Sequence, residues 1–323
     1  MTTAVIIPYF QREAGILRRA VGSIADQSNS DWRIVIVDDQ SPLPAHAEMA
    51  TLPIAIRSRT SILEQENSGP GSARNLGLEA LQPSDTAAAF LDSDDVWDQG
   101  HLERAKNAIT DHGAEIYLAA IGGGDGFDYH ADMRSILDQW PHTTHQADPP
   151  LHAIDGLCEK MLTDWSFMHL SSLVLSPSLA KTVRFEPDLR LAAEDVLFFS
   201  DATRLSKRTL VSTAPGAVRG HGDNLFHGVD NTADKFLKQQ FCVWSAFHML
   251  KGRTALSPNA EHIVTRRQKK ARCQALWGQM ARRRAGKPLQ LSQLAEWTVK
   301  DPGLITAAAA LALGRSQNDA DLV

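Results

Sequence analysis

Cysteine is scarce in this sequence, and its scarcity limits what can hold the fold together. The 323 residues include three cysteines, Cys158, Cys242 and Cys273, which lie far apart and form no CxxC pair. An odd number of scattered cysteines excludes a fully paired disulfide framework and offers no zinc-ligand spacing. The pattern is typical of a protein from a reducing compartment.

Also missing are a secretion signal, a membrane span and an excess of positive charge. The N-terminal sequence MTTAVIIPYFQR has neither a basic start nor a long apolar core. The most apolar late segment, GLITAAAALALG at 303–314, is about half of the roughly 20 residues that cross a bilayer. The formal net charge of −5 gives no indication of nucleic-acid binding. We therefore expect a cytoplasmic protein, one that can still lie on a membrane surface.

The first third of the chain alternates between two patterns. Short apolar runs rich in β-branched residues indicate buried strands, at 4–10, 32–39, 54–58, 87–95 and 114–122. Between them, apolar residues recur at helical spacing, in 14–27, 71–81 and 101–109. Such an alternation predicts an α/β fold with a mostly parallel sheet.

The remainder of the chain divides into three parts. Residues 123–150 read as an irregular excursion. Further strands are predicted at 171–178 and 208–220, with a helix at 192–205 between them. After about residue 230 the pattern is helical throughout.

Three aspartates follow the fourth apolar run, in the segment AAFLDSDDVW. Asp92, Asp94 and Asp95 lie within four positions, although like charges this close repel one another. In parallel sheets, ligands bind at the carboxyl ends of the strands. Carboxylates there suit a hard divalent cation such as Mg²⁺ or Mn²⁺. The alternative is a solvated helix start, where acidic side chains interact favourably with the helix dipole.

A second acidic pair, Asp38 and Asp39, ends the strand at 32–39 and leads into a loop. A carboxylate here suits hydrogen bonds from a nucleotide base or ribose, as in other nucleotide-binding α/β folds. The alternative is turn chemistry, which Asp and Ser both favour.

The segment NSGPGSARNLG at 67–77 is a glycine-rich loop that opens a predicted helix. Its amide groups, the positive end of the helix and Arg74 would together suit a diphosphate. A simple capped helix is the alternative, and the absence of G-K-[ST] excludes a Walker loop.

Together these segments resemble a known family. VIIPYFQR, IVIVDDQSP, ENSGPGSARNLGL and AAFLDSDDVW, in this order, are similar to family 2 glycosyltransferases of the GT-A fold. The resemblance extends through AAEDVLFFSDA into RGHGDNLFHG, and it points most closely to bacterial exopolysaccharide enzymes, succinoglycan-type glucosyltransferases above all. It implies a Rossmann-like, mostly parallel central sheet flanked by helices, with a C-terminal helical extension. We expect a GT-A domain at 1–228, with a nucleotide-sugar half at about 1–95 and an acceptor half at about 96–228, and a helical region at 229–323.

The resemblance also implies roles for individual residues. Pro8 and Tyr9 would border the base, Asp38 would hydrogen-bond to it, and Arg74 would lie near the base or diphosphate. Asp92 would face the ribose or sugar. The full set of expected nucleotide-sugar-binding residues is Pro8, Tyr9, Arg12, Asp38, Asp39, Asn67, Arg74 and Asp92.

The expected metal ligands are Asp94, Asp95 and His221, and the expected catalytic residues are Asp195, as the base, and Glu194 beside it. The cofactor would be Mn²⁺ or Mg²⁺. Many relatives carry Asn and Gly where this chain has Phe10 and Gln40. These departures bear on the base contacts and on the shape of the turn, and not on the reaction.

The implied reaction is an inverting transfer of a sugar, glucose by resemblance, from a UDP-sugar to a glycan acceptor, expected to be a lipid-linked oligosaccharide. A divalent cation would stabilise the departing diphosphate, and a carboxylate would take the proton of the acceptor hydroxyl. Two alternatives stay open: a nucleotidyltransferase, and an inactive nucleotide-sugar-binding scaffold.

Residues 266–287 carry nine Lys and Arg side chains and no acidic one. A solvated helix face is one interpretation of this segment. An amphipathic helix on an anionic membrane, at the inner face of the plasma membrane, is the other.

Overall fold

The computed structural model describes residues 2–122, 132–220, 229–253 and 255–313. They form two compact units, one made of Met1–Pro187 and Phe198–Asp223 and the other of Asp188–Leu197 and Asn224–Val323. Within the described ranges, no helix has both the length and the apolar character that crossing a bilayer requires.

Ten strands of the described residues form one sheet in the first unit. They are β1 (Thr2–Tyr9), β2 (Trp32–Asp38), β3 (Thr60–Glu64), β4 (Asp85–Phe90), β5 (Val96–Trp97), β6 (Ile116–Gly122), β7 (His142–Gln146), β8 (Leu151–Ile154), β9 (Leu173–Leu175) and β10 (Thr209–Val218). The order across the sheet is β3-β2-β1-β4-β9-β6-β10-β8-β7, and β5 pairs with β10 off this path.

The described helices flank this sheet and make up most of the second unit. They are α1 (Ile16–Ala25), α2 (Ala45–Met49), α3 (Ile54–Arg57), α4 (Pro70–Glu79), α5 (His101–Thr110), α6 (Met133–Gln139), α7 (Leu157–Thr163), α8 (Pro177–Thr182), α9 (Glu194–Leu205), α10 (Phe236–Arg253), α11 (Pro258–Arg284), α12 (Leu291–Lys300) and α13 (Gly303–Ala312).

The sheet is mixed, with a parallel half that carries the acidic strand ends. β3, β2, β1 and β4 run parallel to one another, and so do β6 and β10. β9 is antiparallel to both β4 and β6, and the β7–β8 hairpin adds an antiparallel edge. The predicted α/β fold with a mostly parallel sheet is confirmed.

Both faces of the sheet are covered by apolar side chains, as a parallel sheet requires. Val5 and Ile7 of β1 belong to one core cluster, together with Leu17 and Val21 of α1. Ile6 points to the opposite face and joins a second cluster that includes Leu78, Phe90 and Leu179. This alternation explains why β1 reads as a continuous apolar run.

Two predicted segments are corrected by the structure. The apolar run at 54–58 was expected to be a strand, but Ile54–Arg57 is a short helix and the strand is Thr60–Glu64. Pro53 fixes the backbone directly before this helix, and Ile54 is 70% exposed while Ile56 is partly buried against the edge of the core. The region 123–150 was read as irregular, yet its described part contains α6 and the exposed strand β7.

The second unit has its own small core. Leu237, Trp244, Ala271, Trp297 and Leu304 pack together across α10, α11, α12 and α13. Their burial shows that the C-terminal helices form a packed body. The predicted division of the chain at about residue 228 stays a prediction.

Candidate active site

Asp38 at the end of β2 shapes the loop that follows it. Its Oδ1 accepts a hydrogen bond from the Ser41 amide at 2.7 Å, and its Oδ2 accepts one from the Ala45 amide at 2.8 Å. Gln40, directly before Ser41, has a left-handed φ of 57°, a conformation that a glycine adopts without strain. The Gly that relatives carry at this position is therefore explained by the turn, and Gln40 adopts the same turn at some cost.

Asp39 closes the start of the glycine-rich helix. Its Oδ1 accepts hydrogen bonds from the Ser68 amide and the Gln65 side chain, both at 2.7 Å. Its Oδ2 accepts one from the Gly69 amide at 2.9 Å. These amides directly precede α4, and they are the groups expected to bind a diphosphate. Two of the expected phosphate-binding amides are thus engaged by a carboxylate of the protein itself.

The end of β1 offers little side-chain surface to a ligand. Pro8 and Tyr9 are buried, and burial, helped by the nearby Glu48 carboxylate, raises the pKa of Tyr9 to about 12. Arg12 is exposed, with its guanidinium 5.1 Å from the centre of the Phe10 ring. Asn67 is exposed as well, and its side-chain amide donates to the Asp39 carbonyl at 3.1 Å. Of these four predicted side chains, only Arg12 and Asn67 are accessible.

Asp92 is paired with Arg74. The Arg74 Nη2 lies 2.6 Å from the Asp92 Oδ1, and the guanidinium lies 5.3 Å from the centre of the Phe185 ring. Burial favours the neutral acid, but the Arg74 and His169 side chains outweigh it and hold the pKa of Asp92 below its ordinary value. Arg74 is buried on α4 and Asp92 follows β4, so this ion pair joins the glycine-rich helix to the acidic turn.

Asp95 ties the acidic turn to two other elements. Its Oδ2 accepts a hydrogen bond from the Ser171 hydroxyl at 2.6 Å, and its Oδ1 accepts one from the Gly220 amide at 3.0 Å. The Ser171 hydroxyl also accepts a hydrogen bond from the Asp92 amide at 3.0 Å. Both Asp95 oxygens are therefore occupied within the protein, and this carboxylate holds the turn against the end of β10.

Gly220 is required by this contact. A Cβ atom at position 220 would lie 1.7 Å from the carbonyl oxygen of Asp94, a distance that no side chain tolerates. The backbone after β10 and the backbone of the DSDD turn are thus in direct contact. The sequence carries a glycine here because only a glycine fits.

Asp94 differs from its neighbours. Its carboxylate is partly exposed and makes no hydrogen bond with any side chain or amide outside its own residue among the described residues. Burial, followed by the charges of Asp95 and Asp92, raises the pKa of Asp94 to about 7. Arg219 opposes this shift, and no other described residue forms a hydrogen bond with the Asp94 carboxylate. A carboxylate held beside two others in this way has the chemistry of a cation ligand.

Sequence reasoning missed His169 and Ser171, which precede β9. Asp92, Asp95 and His169 each offer one ligand atom, and these atoms lie within 4.8 Å of one another. His169 Nδ1 lies 3.5 Å from Asp95 Oδ2 and also accepts a hydrogen bond from the Ser171 amide at 3.2 Å. No motif marks FMHLSS; only the sheet topology brings it to the acidic turn. His221, the third predicted metal ligand, lies outside the described residues.

The predicted catalytic pair begins α9. Glu194 and Asp195 are partly buried in its first turn, and Asp195 Oδ1 accepts a hydrogen bond from the Val196 amide at 2.8 Å. Ala193 directly before them has a φ of 63°, which costs a non-glycine residue free energy. Such strain often occurs at functional positions. Both residues belong to the second unit, and their catalytic roles stay predictions.

Comparison with known proteins identifies the family to which this chain belongs. Residues 4–159 match the family described as "Glycosyl transferase family 2". The chain is 43% identical over 311 residues to the succinoglycan biosynthesis protein ExoW of Rhizobium meliloti, an alignment that covers 96% of this chain and 98% of that protein.

Solved structures with the same fold include those of TarS from S. aureus. The structure of TarS 1-349 superposes with a TM-score of 0.60 at 18% identity, covering 95% of this chain and 81% of that one. The complex of TarS 1-349 with UDP-GlcNAc gives a TM-score of 0.59 at 18% identity, covering 87% of this chain and 73% of that one.

At this level of identity the structural likeness concerns the fold, which is therefore of the GT-A type. The family rests on the match to residues 4–159 and on the relative that aligns over nearly the full length. The chain belongs to the family 2 glycosyltransferases and is a glycosyltransferase.

Proposed function

We propose that this enzyme transfers a sugar, glucose in our proposal, from a UDP-sugar to a lipid-linked oligosaccharide during exopolysaccharide synthesis in the cytoplasm. The observation that carries the proposal is the 43% identity, over almost the whole chain, to a succinoglycan biosynthesis protein. TarS, which shares the fold, was crystallised with UDP and with UDP-GlcNAc, and this supports a UDP-linked donor.

For the donor, we assign roles to the acidic strand end of β2 and to the Arg74–Asp92 pair. Asp38 and Asp39 are engaged by backbone amides, but each carboxylate oxygen has two lone pairs, so Asp38 can accept one more hydrogen bond from a base. Arg74, held by Asp92 at 2.6 Å, supplies positive charge for the diphosphate side of the donor.

The residues at the DSDD turn fit a divalent cation. Oxygen donors suit Mg²⁺ and Mn²⁺, and Asp94 is the carboxylate whose oxygens are not already used by the described residues. His169 fits less well, because its Nδ1 already accepts a hydrogen bond from the Ser171 amide and lies 3.5 Å from Asp95 Oδ2. We therefore assign the cation to Asp94, with Asp92 and Asp95 beside it. A bound cation would supply Lewis-acid stabilisation of the departing diphosphate.

Asp195 is our candidate for the base. An acceptor hydroxyl is a poor nucleophile, and a carboxylate that takes its proton accelerates attack by roughly 10²–10⁴-fold. One base acting in one displacement inverts the anomeric centre, so an α-linked donor yields a β-linked product. Glu194 would orient the acceptor or its neighbour.

The first test is release of UDP from a panel of UDP-sugars, with and without Mn²⁺, using a lipid-linked oligosaccharide as acceptor. UDP-glucose should give the highest rate, and NMR of the product should show an inverted linkage. Turnover that persists unchanged in excess chelator would exclude the metal-dependent mechanism.

The second test compares Asp195→Asn with Glu194→Gln. Because the base acts only on the acceptor, Asp195→Asn should lower kcat and kcat/KM together, while calorimetry should show donor affinity nearly unchanged. Glu194→Gln should be milder. If Asp195→Asn turns over normally while Glu194→Gln is inactive, the two roles are reversed, and if both are active the base lies elsewhere.

A further inference from the structure

The basic segment at 266–287 does not present all its charges to solvent. Arg272 donates two hydrogen bonds to the buried Asp301, at 2.7 and 2.8 Å. Arg282 is 3% exposed and pairs with Asp234 at 2.8 Å. Two of the nine basic side chains are thus part of the fold of the second unit.

Arg266 and Lys269 are exposed within α11, and further exposed charge lies where this helix ends. Every residue from 283 to 289 is exposed, and this stretch contains Arg283, Arg284 and Lys287. Met280 and Leu289, on either side of these cations, are 43% and 40% exposed. Cations mixed with exposed apolar side chains are typical of segments that lie at a membrane interface.

Helix α12, which follows in the chain, also carries exposed apolar side chains. Leu291, Ala295 and Val299, spaced four residues apart, form one exposed stripe, and Leu291 and Val299 are 64% and 84% exposed. The buried side of the same helix carries Trp297, whose ring centre lies 5.4 Å from that of Phe241. Trp297 thus packs the inner face of the helix into the core, whereas the apolar stripe on the outer face is exposed and does not contribute to the core.

Helix α13 shows the same division. Leu304 is buried, whereas Ile305, Ala309 and Leu313 are exposed at the same four-residue spacing, Ile305 at 60% and Leu313 at 67%. No charged residue occurs from Gly303 to Leu313. An outer helix face that carries no charge and that none of the described elements covers is typical of an interaction site.

We propose that this outer surface, defined by Arg283, Arg284, Lys287, Leu291, Val299, Ile305 and Leu313, binds an anionic membrane surface. Its exposed charges are complementary to such a membrane, since residues 283–313 carry four cations and two acids. One of the acids, Asp301, is buried and paired with Arg272, which leaves Glu296 as the exposed acid of residues 283–313 against Arg283, Arg284, Lys287 and Lys300. From outside this range, the exposed acids Asp230 and Asp234 lie near Lys287 and Arg282 and offset part of the positive charge.

A second copy of the chain fits this surface less well. A two-fold contact places the same surface of both copies together. The Arg283–Lys287 cations would then meet a surface with the same charge, whereas anionic headgroups would neutralise them. The apolar side chains would enter the interface between headgroups and acyl chains.

The test uses the full chain and sedimentation with phosphatidylcholine vesicles, with and without phosphatidylglycerol, at low salt. We expect binding to the anionic vesicles alone, and weakening as salt rises, because exposed charges are screened within about 10 Å at 0.1 M salt. Arg283→Gln/Arg284→Gln should weaken this binding by roughly 25-fold, since each cation near the surface contributes about a fivefold factor. The triple variant Leu291→Ser/Val299→Ser/Ile305→Ser should lose the binding that resists salt.

Matched controls come from the first unit. Arg18→Gln/Arg19→Gln removes two adjacent exposed cations, and Ile54→Ser removes an apolar side chain that is 70% exposed. Neither change should affect vesicle binding. Release of UDP with a soluble acceptor should stay unchanged in all these variants, which separates this proposal from the proposed reaction.

Three outcomes would overturn the proposal: equal binding to neutral and anionic vesicles, no binding to either, or an unchanged affinity in both the double and the triple variant. Sedimentation equilibrium of the protein without vesicles tests the alternative, in which a second copy of the chain binds this surface. A dimer that dissociates in the triple variant would assign the surface to self-association instead.

Discussion

Two strand ends of the same sheet carry adjacent aspartates, and the structure uses them in different ways. At the end of β2, Asp38 and Asp39 are buried and all four of their carboxylate oxygens accept hydrogen bonds from the protein. At the end of β4, both Asp95 oxygens also accept hydrogen bonds from the protein, whereas the Asp94 carboxylate accepts none from another described residue.

The two strand ends show that the hydrogen-bond partners of a carboxylate decide its role in an acidic site. A buried carboxylate that accepts hydrogen bonds from several amides fixes the loops that carry those amides. Moving such a loop would leave a buried donor without an acceptor, which costs free energy. A carboxylate that is held beside other carboxylates lowers the stability of the folded protein, and a bound cation offsets this loss. We infer that Asp39 and Asp95 position the site and that Asp94 binds the cation. Substitutions at each of these positions test this contrast.

The largest expected effect is on turnover in Asp94→Ala. Loss of the cation ligand should remove several kcal/mol of transition-state stabilisation, a fall of roughly 10³-fold in kcat/KM. The midpoint of thermal unfolding should stay the same or rise, because burial and the charges of Asp95 and Asp92 disfavour this carboxylate more than Arg219 favours it. UDP release and scanning calorimetry measure the two effects, and Mn²⁺ titration should show weakened binding. Unchanged turnover would contradict the assignment of Asp94.

Asp39→Ala should show the reverse pattern, with stability as the main loss. Three donors, from Gln65, Ser68 and Gly69, would lose their acceptor at once. We expect the free energy of unfolding to fall by about 3 kcal/mol, which urea denaturation measures. Asp26→Ala, at an exposed position, is the matched control and should have no such effect. A loss no larger than that of the control would remove the capping role.

Gly220→Ala tests how closely the turn must be held. Its new Cβ would displace the Asp94 carbonyl, and a shift of about 1 Å at a site can lower the rate by roughly 10²-fold. Gly22→Ala is the control, because a Cβ at position 22 meets nothing within 4 Å. Initial rates and Mn²⁺ affinity of both variants give the comparison. Equal rates in the two variants would show that the contact has no influence on the site.

The smallest expected effect concerns His101, a buried histidine that follows the DSDD turn in the chain. His101 is fully buried 5.0 Å from Trp97, and neither ring nitrogen has a hydrogen-bond partner among the described residues. Burial, followed by the charge of Arg104 and opposed by Asp98, lowers the pKa of His101 to about 3. The unfolded chain, with an ordinary pKa near 6.5, therefore binds the proton more readily, and stability is lost as pH falls below that value.

Between pH 7 and pH 5 this linkage should reduce the free energy of unfolding by about 2 kcal/mol. His101→Phe should remove that part of the pH dependence, as measured by urea denaturation at both pH values. The exposed His262 offers a control, since His262→Phe should leave the dependence intact. An identical pH dependence in wild type and His101→Phe would contradict the neutral state of this ring.

Several features could be predicted from the sequence because they depend on local patterns. The strands β1, β2, β4 and β6 are continuous apolar runs, and a chain that buries both faces of a parallel sheet must contain such runs. The helices α1, α4 and α5 follow from helical spacing or from glycine and proline at their starts. The position of the aspartates at the strand ends follows from the same reasoning.

Other features depended on contacts between distant parts of the chain. The segment 54–57 contains two isoleucines and is predicted as a strand, but it is a short helix in which Ile56 packs against the core and Ile54 is exposed. The partners of Asp95, which are Ser171 and Gly220, lie 76 and 125 residues away along the chain. No local pattern marks such pairs, because each partner is an ordinary serine or glycine until the sheet brings it to the turn.

The sequence by itself determined the α/β alternation, the acidic strand ends and the helical C-terminal region, since each is encoded by residues that are neighbours in the chain. Only the tertiary structure decided which carboxylates are saturated and which one is available, and which basic side chains of α11 are internal. The physical reason is that hydrogen bonds and ion pairs act over a few ångströms in space. The chain order does not reveal those distances until the sheet has been assembled.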